Sequence, residues 1–246
     1  MIRVAKILSL LGLVVAIGCA LVGLGAGLGN RFGWWNFRTG ISTLVYVFWV
    51  AASTAAICAV AVVLAALRAN VPSIVMGLAG LAIAGVTAWV PFELRRTANA
   101  VPPIHDITTD LGNPPQFVRV AALRKEGDHP VAYDGASVGE QQRKAYPDLA
   151  PLVLKAPRDK VFAAAQAALA SMGLELVDAD AAQGRIEATA TSLLFGFKDD
   201  VVVRITEDPN GAKVDVRSKS RVGRNDFGMN AKRIRTLLGK LKAAVE

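Results

Sequence analysis

The stretch DDVVVRITEDPNGAKVDVRSKS, residues 199–220, decides the fold of the C-terminal part of the chain. Apolar and polar residues alternate on both sides of DPNG, residues 208–211. Alternation with a period of two is typical of a β-strand that buries one face. In DPNG the proline fixes φ and the glycine tolerates a positive φ, which favours a tight turn. The sequence therefore predicts an antiparallel β-hairpin, with one strand over 199–207 and the next from residue 212.

Shorter strands and two helices surround this hairpin. Residues 151–155 (PLVLK), 174–179 (LELVDA) and 185–191 (RIEATAT) are apolar or alternating stretches typical of strands. Apolar residues at helical spacing predict helices over 158–172 and about 227–244. The order strand, helix, four strands, helix predicts an α+β domain. We expect an antiparallel sheet of about five strands with both helices on one face, similar to helix-grip folds.

The other face of this predicted sheet carries polar and charged side chains. Because the helices cover only one face, we expect the polar face to meet water or a partner. Its residues are Arg185, Glu187, Arg204, Lys213, Asp215, Arg217 and Lys219.

The N-terminal part of the chain has the composition of a membrane region. Residues 7–30, 39–67 and 69–92 contain no charged residue. Each stretch exceeds the roughly 20 apolar residues that cross a bilayer. The sequence predicts three transmembrane helices, near residues 7–29, 41–67 and 71–90.

These patterns predict three regions along the chain. A three-span membrane region covers 1–94, and an α+β domain covers 151–246. Between them, residues 95–150 are rich in proline, and we expect them to form a linker that wraps the domain. Two short helices are predicted in this linker, near 115–124 and 137–145.

The net charge of +8 does not indicate a nucleic-acid partner. Residues 1–91 contain five basic and no acidic residues, which are the flanking charges of membrane helices. Residues 92–246 contain 23 basic and 20 acidic residues, a net charge of +3. The positive charges on the two sides of the predicted spans number three and four, so they do not decide the orientation.

The blocks GRIEATATSLLFGFKDDVVVRI and VDVRSKSRVGRNDFGMNAKRIR carry a family resemblance. The C-terminal part resembles the domain of unknown function family 1499, which comprises bacterial envelope proteins and chloroplast relatives. The resemblance extends from PPIHDITTD (102–110) to the end of the chain. It implies export across the bacterial inner membrane, with a cytoplasmic N-terminus and a periplasmic domain. It implies no established activity, cofactor or catalytic residue.

The residues suited to metal binding are sparse. Cys19 and Cys58 lie inside predicted spans, and the two histidines occur in the separate pairs His105-Asp106 and Asp128-His129. We expect these pairs to be isolated residues of the surface or linker. The sequence predicts no metal and no cofactor.

Adjacent carboxylates at Asp199 and Asp200 point to opposite faces of a strand, so they are poorly placed to share a proton. We expect one of them to form an ion pair with Arg204, Arg221 or Arg224 and the other to cap the loop, rather than acid–base catalysis.

The basic corner after the hairpin is the best candidate binding site. Residues 213–242 contain ten basic and two acidic residues. Asp226 is suited to cap the last helix, whose free N–H groups could hold an anion together with Arg221 and Arg224. The apolar SLLFGF, residues 192–197, either completes the core or forms a tip that touches lipid, a span or a ligand. The candidate site residues are Phe195, Phe197, Asp199, Asp200, Arg204, Arg217, Arg221, Arg224, Asn225 and Asp226.

The sequence favours a membrane-anchored binding or scaffolding module without enzymatic activity. Its expected partners are anionic lipid headgroups or envelope proteins, and its oligomeric state stays open. Two alternatives are an envelope hydrolase that uses Asp199 or Asp200 and an accessory subunit of a membrane complex.

Overall fold

The computed structural model describes residues 2–245, which form two compact units. The first unit contains the residues up to Thr97 together with the short segment Leu193–Gly196. The second unit contains Ala98–Ser192 and the described residues from Phe197 onward.

Three long helices build the first unit: α1 (Ile2–Arg31), α2 (Phe37–Ala66) and α3 (Val71–Ala100). Each has 30 residues, a length of about 45 Å at 1.5 Å per residue. All three are long and apolar enough to cross a membrane, so the prediction of three long apolar helices in this region is confirmed. The helices extend beyond those spans because residues at their polar ends also adopt helical geometry.

Glycines allow the three helices to approach closely around Cys58 of α2. A Cβ atom at Gly12 of α1 would lie 2.5 Å from the Cys58 sulfur, and one at Gly80 of α3 would lie 2.8 Å from it. Neither distance is compatible with a side chain at the glycine. Packing of small residues is a usual source of helix association in membranes, where lipid tails remove the hydrophobic driving force.

The second unit is an α+β domain. Its strands and helices are β1 (Asp106–Thr108), α4 (Ala136–Ala145), β2 (Leu152–Leu154), α5 (Arg158–Ser171), β3 (Glu175–Asp180), β4 (Arg185–Thr191), β5 (Lys198–Asp208), β6 (Gly211–Ser220) and α6 (Met229–Val245). A short 3-10 helix occupies Val120–Leu123.

The six strands found within residues 2–245 form one open antiparallel sheet in the order β1-β6-β5-β4-β3. Strand β2 pairs with the same edge of β6 as β1 does. It pairs with residues 212–214, near the start of β6, whereas β1 pairs with residues 217–219. The predicted hairpin is β5–β6, in which Asp208 pairs with Gly211 across the turn. The sheet has one strand more than predicted, because β1 arises from the segment expected to be a linker.

One face of the sheet forms the hydrophobic core under α5 and α6. The alternating positions Ile186, Val203 and Val216 point into this core and have no exposed surface. Phe162 of α5 and Ile234 of α6 belong to the same cluster. The α+β class and the placement of both helices on one face are therefore as predicted.

The opposite face of the sheet is covered by residues 109–135, which we call the covering segment. The expectation that this polar face meets water or a partner was wrong for four of its seven residues, whereas Arg185, Arg204 and Lys213 keep part of their surface exposed. Glu187, Arg217 and Lys219 have no exposed surface. An alternating strand pattern distinguishes an apolar from a polar face, but it cannot tell whether water or another part of the chain lies against the polar one.

Backbone groups of the covering segment satisfy the charges beneath it. The carboxylate of Glu187 accepts hydrogen bonds from three consecutive N–H groups, those of residues 118–120, at 2.8–2.9 Å. Arg217 donates to the carbonyls of Pro115 and Val131. The segment therefore supplies the hydrogen-bond partners that buried charged groups require.

A buried bidentate ion pair holds β1 against β6. The Nε and Nη2 atoms of Arg217 each lie 2.8 Å from an oxygen of Asp106, and neither side chain is exposed. We predict that Asp106→Ala destabilises the domain by about 3–5 kcal/mol, because it leaves the Arg217 charge buried beside an empty position. Urea-dependent pulse proteolysis of the full chain in detergent measures this change.

Asp148→Ala is the matched control, because Asp148 also makes a bidentate pair, with Arg235, but on the surface. Exposed pairs contribute about 0–1 kcal/mol. Equal destabilisation by the two substitutions would contradict the structural role given to Asp106.

Candidate functional site

The acidic candidate Asp200 lies at the centre of a closed cluster. Its carboxylate is fully buried and accepts hydrogen bonds from Arg221 Nη2 at 2.8 Å, Arg124 Nε at 3.0 Å and Thr189 Oγ1 at 2.9 Å. Arg221 Nη1 donates in turn to the carbonyl of Leu123. The predicted pairing of Asp200 with Arg221 is confirmed, and both groups are fully engaged.

Asp199 faces the other way and binds a different partner. Its carboxylate accepts a hydrogen bond of 2.7 Å from Nη2 of Arg233 in α6. The two neighbouring carboxylates therefore diverge, as the alternation of side chains along a strand requires. This geometry does not bring Asp199 and Asp200 together as an acid–base pair.

Arg217, another candidate, is surrounded on every side. Besides Asp106, it contacts the rings of Phe117 and Tyr133, whose centroids lie 4.8 and 5.4 Å from the guanidinium carbon. Burial raises the pKa of the Tyr133 hydroxyl to about 12, and the Asp106 charge adds to this shift. Lys219 lies beside the pair, with Nζ 2.6 Å from Asp134 and 3.1 Å from Asp106.

Arg204 also has carboxylate partners within the domain. Its Nη2 atom donates to Asp110 at 2.9 Å and to Asp215 at 2.8 Å. The structure thus gives internal carboxylate partners to Arg204, Arg217 and Arg221. These three cations neutralise the chain's own acids and do not form an exposed anion site.

The start of α6 is occupied by the chain's own carboxylate. Asp226 accepts hydrogen bonds of 2.8 Å from the backbone N–H groups of Gly228 and Asn230, which caps the helix. Burial raises the pKa of the Asp226 carboxyl. Asn225 bonds the N–H of Phe227 and the carbonyl of Ala98. The helix N–H groups expected to hold an external anion are therefore already used.

Arg224 lies apart from these buried groups. Its side chain is exposed, and no ion pair to it occurs within residues 2–245. Of the four arginine candidates, Arg224 alone is open to an external partner in the part of the chain that the structure describes.

The two aromatic candidates occupy different units. Phe197 closes the base of the β4–β5 connection, where its N–H donates to Ser192 Oγ and its carbonyl accepts from the Ser192 N–H. Phe195 belongs to the first unit, where it is buried; a Cβ atom at Gly40 would lie 2.9 Å from its ring. Of the roles left open for SLLFGF, contact with a span is the one observed for Phe195.

The sequence did not indicate that the two histidines lie together. The expectation that they belong to isolated pairs on the surface or linker was wrong. The rings of His105 and His129 stack at 3.9 Å between centroids. His105 Nε2 lies 3.2 Å from Asp134, and His129 Nε2 lies 3.0 Å from the Gly223 carbonyl. Neither histidine carried a spacing signal, because the two lie 24 positions apart along the chain.

The charge around His105 favours its neutral form. Burial, His129 and Lys219 hold its pKa below the ordinary value of 6.5, against the opposing effect of Asp134 and Asp106. Because the folded state prefers the neutral ring, the contribution of His105 to stability is complete above pH 6.5. It declines as the pH falls from 6.5 towards the lowered pKa.

We predict that the His105 titration midpoint responds with opposite signs to its two nearest partners. His129→Phe keeps a stacked ring but removes a positive charge, so the midpoint rises. Asp134→Asn removes a negative charge, so the midpoint falls further below 6.5.

Nuclear magnetic resonance of the imidazole carbons measures this midpoint in the full chain, whose two histidines give a simple spectrum. Unchanged midpoints in both variants would show that the rings do not lie in this cluster.

A concavity of about 560 Å³ lies beside the β5–β6 turn, lined by residues 155–157 and 208–211. It contains none of the candidate residues. Across residues 2–245, no group of three His, Cys, Asp or Glu side chains is arranged to hold a metal ion.

Comparison with known proteins places the C-terminal part in a family. No curated protein matches this sequence. The family model described as "Protein of unknown function (DUF1499)" matches residues 106–241, which is more than half of the chain. The match begins at β1 and ends within α6, so it includes the covering segment. The chain belongs to the DUF1499 family.

Proposed function

We propose that the chain is a membrane-anchored binding module that holds anionic lipid headgroups on the exposed face of α6. This face replaces the corner around Arg221 as the proposed binding surface. The observation that carries the proposal is that α6 has exposed lysines that form no ion pair within the described residues. The buried cations of the domain, in contrast, all have acidic partners.

The cations of α6 divide into matched and unmatched groups. Arg233 pairs with Asp199 and Arg235 pairs with Asp148. Lys232 and Lys240 are exposed and form no ion pair within the described residues. The helix contains no acidic residue between Met229 and Val245. An uncompensated basic surface therefore remains on α6.

The position of these lysines suits a surface contact rather than insertion into lipid. The apolar stripe of α6, which includes Ile234, Leu237 and Leu241, is buried in the domain core. Only its polar side is available to a partner. An exposed lysine near an anionic bilayer gains about 1 kcal/mol, and salt weakens the attraction.

A lipid partner fits the rest of the molecule. Three helices that can span a membrane keep the chain beside headgroups at all times. We propose the bacterial inner membrane as its location, with a cytoplasmic N-terminus and a periplasmic domain. The support for this location and orientation is the family resemblance, since the flanking charges do not decide between the two orientations.

The geometry favours a binding role over the hydrolase alternative. General acid–base catalysis needs a carboxyl group that reaches the substrate. Asp200 is fully buried under three donors, and Asp199 is paired with Arg233. The accessory-subunit alternative stays a prediction.

Charge removal from α6 tests the proposal. The full chain in nanodiscs of neutral lipid is mixed with phosphatidylglycerol vesicles, and co-sedimentation is measured at low salt. At about 1 kcal/mol per lysine, the double variant Lys232→Gln with Lys240→Gln should bind roughly thirtyfold more weakly.

The matched control is Lys155→Gln with Lys160→Gln, which removes the same charge from exposed lysines elsewhere in the domain. We expect it to bind like the unmodified chain. Equal losses in the two double variants would reduce the effect to net charge, and binding to neutral vesicles of equal strength would exclude headgroup recognition.

A further inference from the structure

The β4–β5 connection carries an apolar side chain that the fold leaves uncovered. Leu193 is 87% exposed, more than any other large apolar side chain within residues 2–245. The next two residues behave differently: Leu194 is partly buried and Phe195 is buried. Among the apolar residues of SLLFGF, Leu193 is therefore the exposed one.

Leu194 and Phe195 pack against α1 within the first unit. A Cβ atom at Gly27 of α1 would lie 2.4 Å from Leu194 and 3.1 Å from Phe195. A side chain at Gly27 would collide with both residues, so the glycine provides the space that they fill.

Polar contacts with the last turn of α1 fix the loop backbone. Asn30 Nδ2 donates to the carbonyl of Phe195 at 2.6 Å, and Arg31 Nη1 donates to the carbonyl of Leu193 at 2.7 Å. Gly196 has a φ of +67°, and a Cβ atom there would lie 3.1 Å from Arg31. The loop is therefore held at a defined place beside the end of α1.

That place has the composition of a membrane–water interface. Directly after Arg31, the side chains of Phe32 and Trp34 are 62% and 69% exposed, and their ring centroids lie 5.7 Å apart. Aromatic rings and arginine at the end of a span are typical of the headgroup level. Leu193 shares this end of α1 through its bond to Arg31.

We propose that Leu193 inserts into the lipid surface beside the α1–α2 turn and is a membrane contact additional to the three spans. Arg31 and Asn30 satisfy the carbonyls of Leu193 and Phe195, so these two polar groups do not oppose entry of the exposed leucine into an apolar environment. This site is apolar and distinct from the basic face of α6, so it does not depend on the proposed headgroup binding.

Fluorescence quenching of a label at position 193 tests the proposal. In a full chain with Cys19→Ala and Cys58→Ala, Leu193→Cys carries an environment-sensitive fluorophore in nanodiscs. Lipids with a nitroxide group high on the acyl chain should remove most of its fluorescence, and aqueous iodide should have little effect.

Glu126→Cys provides the matched aqueous control, because Glu126 is an exposed charged residue of the covering segment. Trp34→Cys provides the matched interfacial site. Quenching of position 193 by iodide at the level of position 126 would overturn the proposal, as would the absence of lipid quenching at 193 when it occurs at 34. Because Leu193 is exposed, its replacement leaves the packing of Leu194 and Phe195 in place.

Discussion

The buried cations of β6 are the constraint on which the second unit depends. Arg217 and Lys219 have no exposed surface, although they lie on the polar face of the sheet. An unpaired charge in such a place costs several kcal/mol, so each must meet an acid and further hydrogen-bond partners. Asp106 of β1 and Asp134 of the covering segment provide those acids.

This requirement explains why residues before the predicted domain belong to its fold. Asp106 brings β1 into the sheet, and the covering segment follows directly from it. Carbonyls of this segment accept from Arg217, Lys219 and Arg221. Once these groups are satisfied, the polar face of the sheet is closed. The exposed lysines proposed to bind headgroups lie elsewhere, on α6.

Periodicity predicted most of the secondary structure. Long apolar stretches indicated α1, α2 and α3, and strict alternation indicated β5 and β6. These signals are local, so they can be read from the sequence without knowing which other elements the helices and strands pack against. Strand β1 has only three residues, which are too few to show a period of two, and it lies in a proline-rich stretch.

The candidate site was less predictable, because the role of each side chain depends on contacts with residues that are distant in the sequence. The pair Asp106–Arg217 joins residues 111 positions apart. From the sequence, Arg217 and Arg221 resembled a basic surface, since nothing local shows that Asp106 pairs with Arg217 or that the Leu123 carbonyl of the covering segment accepts from Arg221. Asp226 was a clearer case, because a capping aspartate acts on the N–H groups of the next few residues. The burial of Phe195 depends on contacts with helices of the first unit, and no local sequence pattern indicates these contacts.

Amide hydrogen exchange of the full chain at neutral pH tests the central claim most directly. The claim is that residues 106–135 form part of the folded domain because they satisfy its buried charges. We expect the N–H groups of residues 118–120, which bind Glu187, and of Thr109, which binds Val216, to exchange as slowly as those of the β5–β6 hairpin. Exchange of these amides at the rate of the exposed Gly127 would contradict the claim.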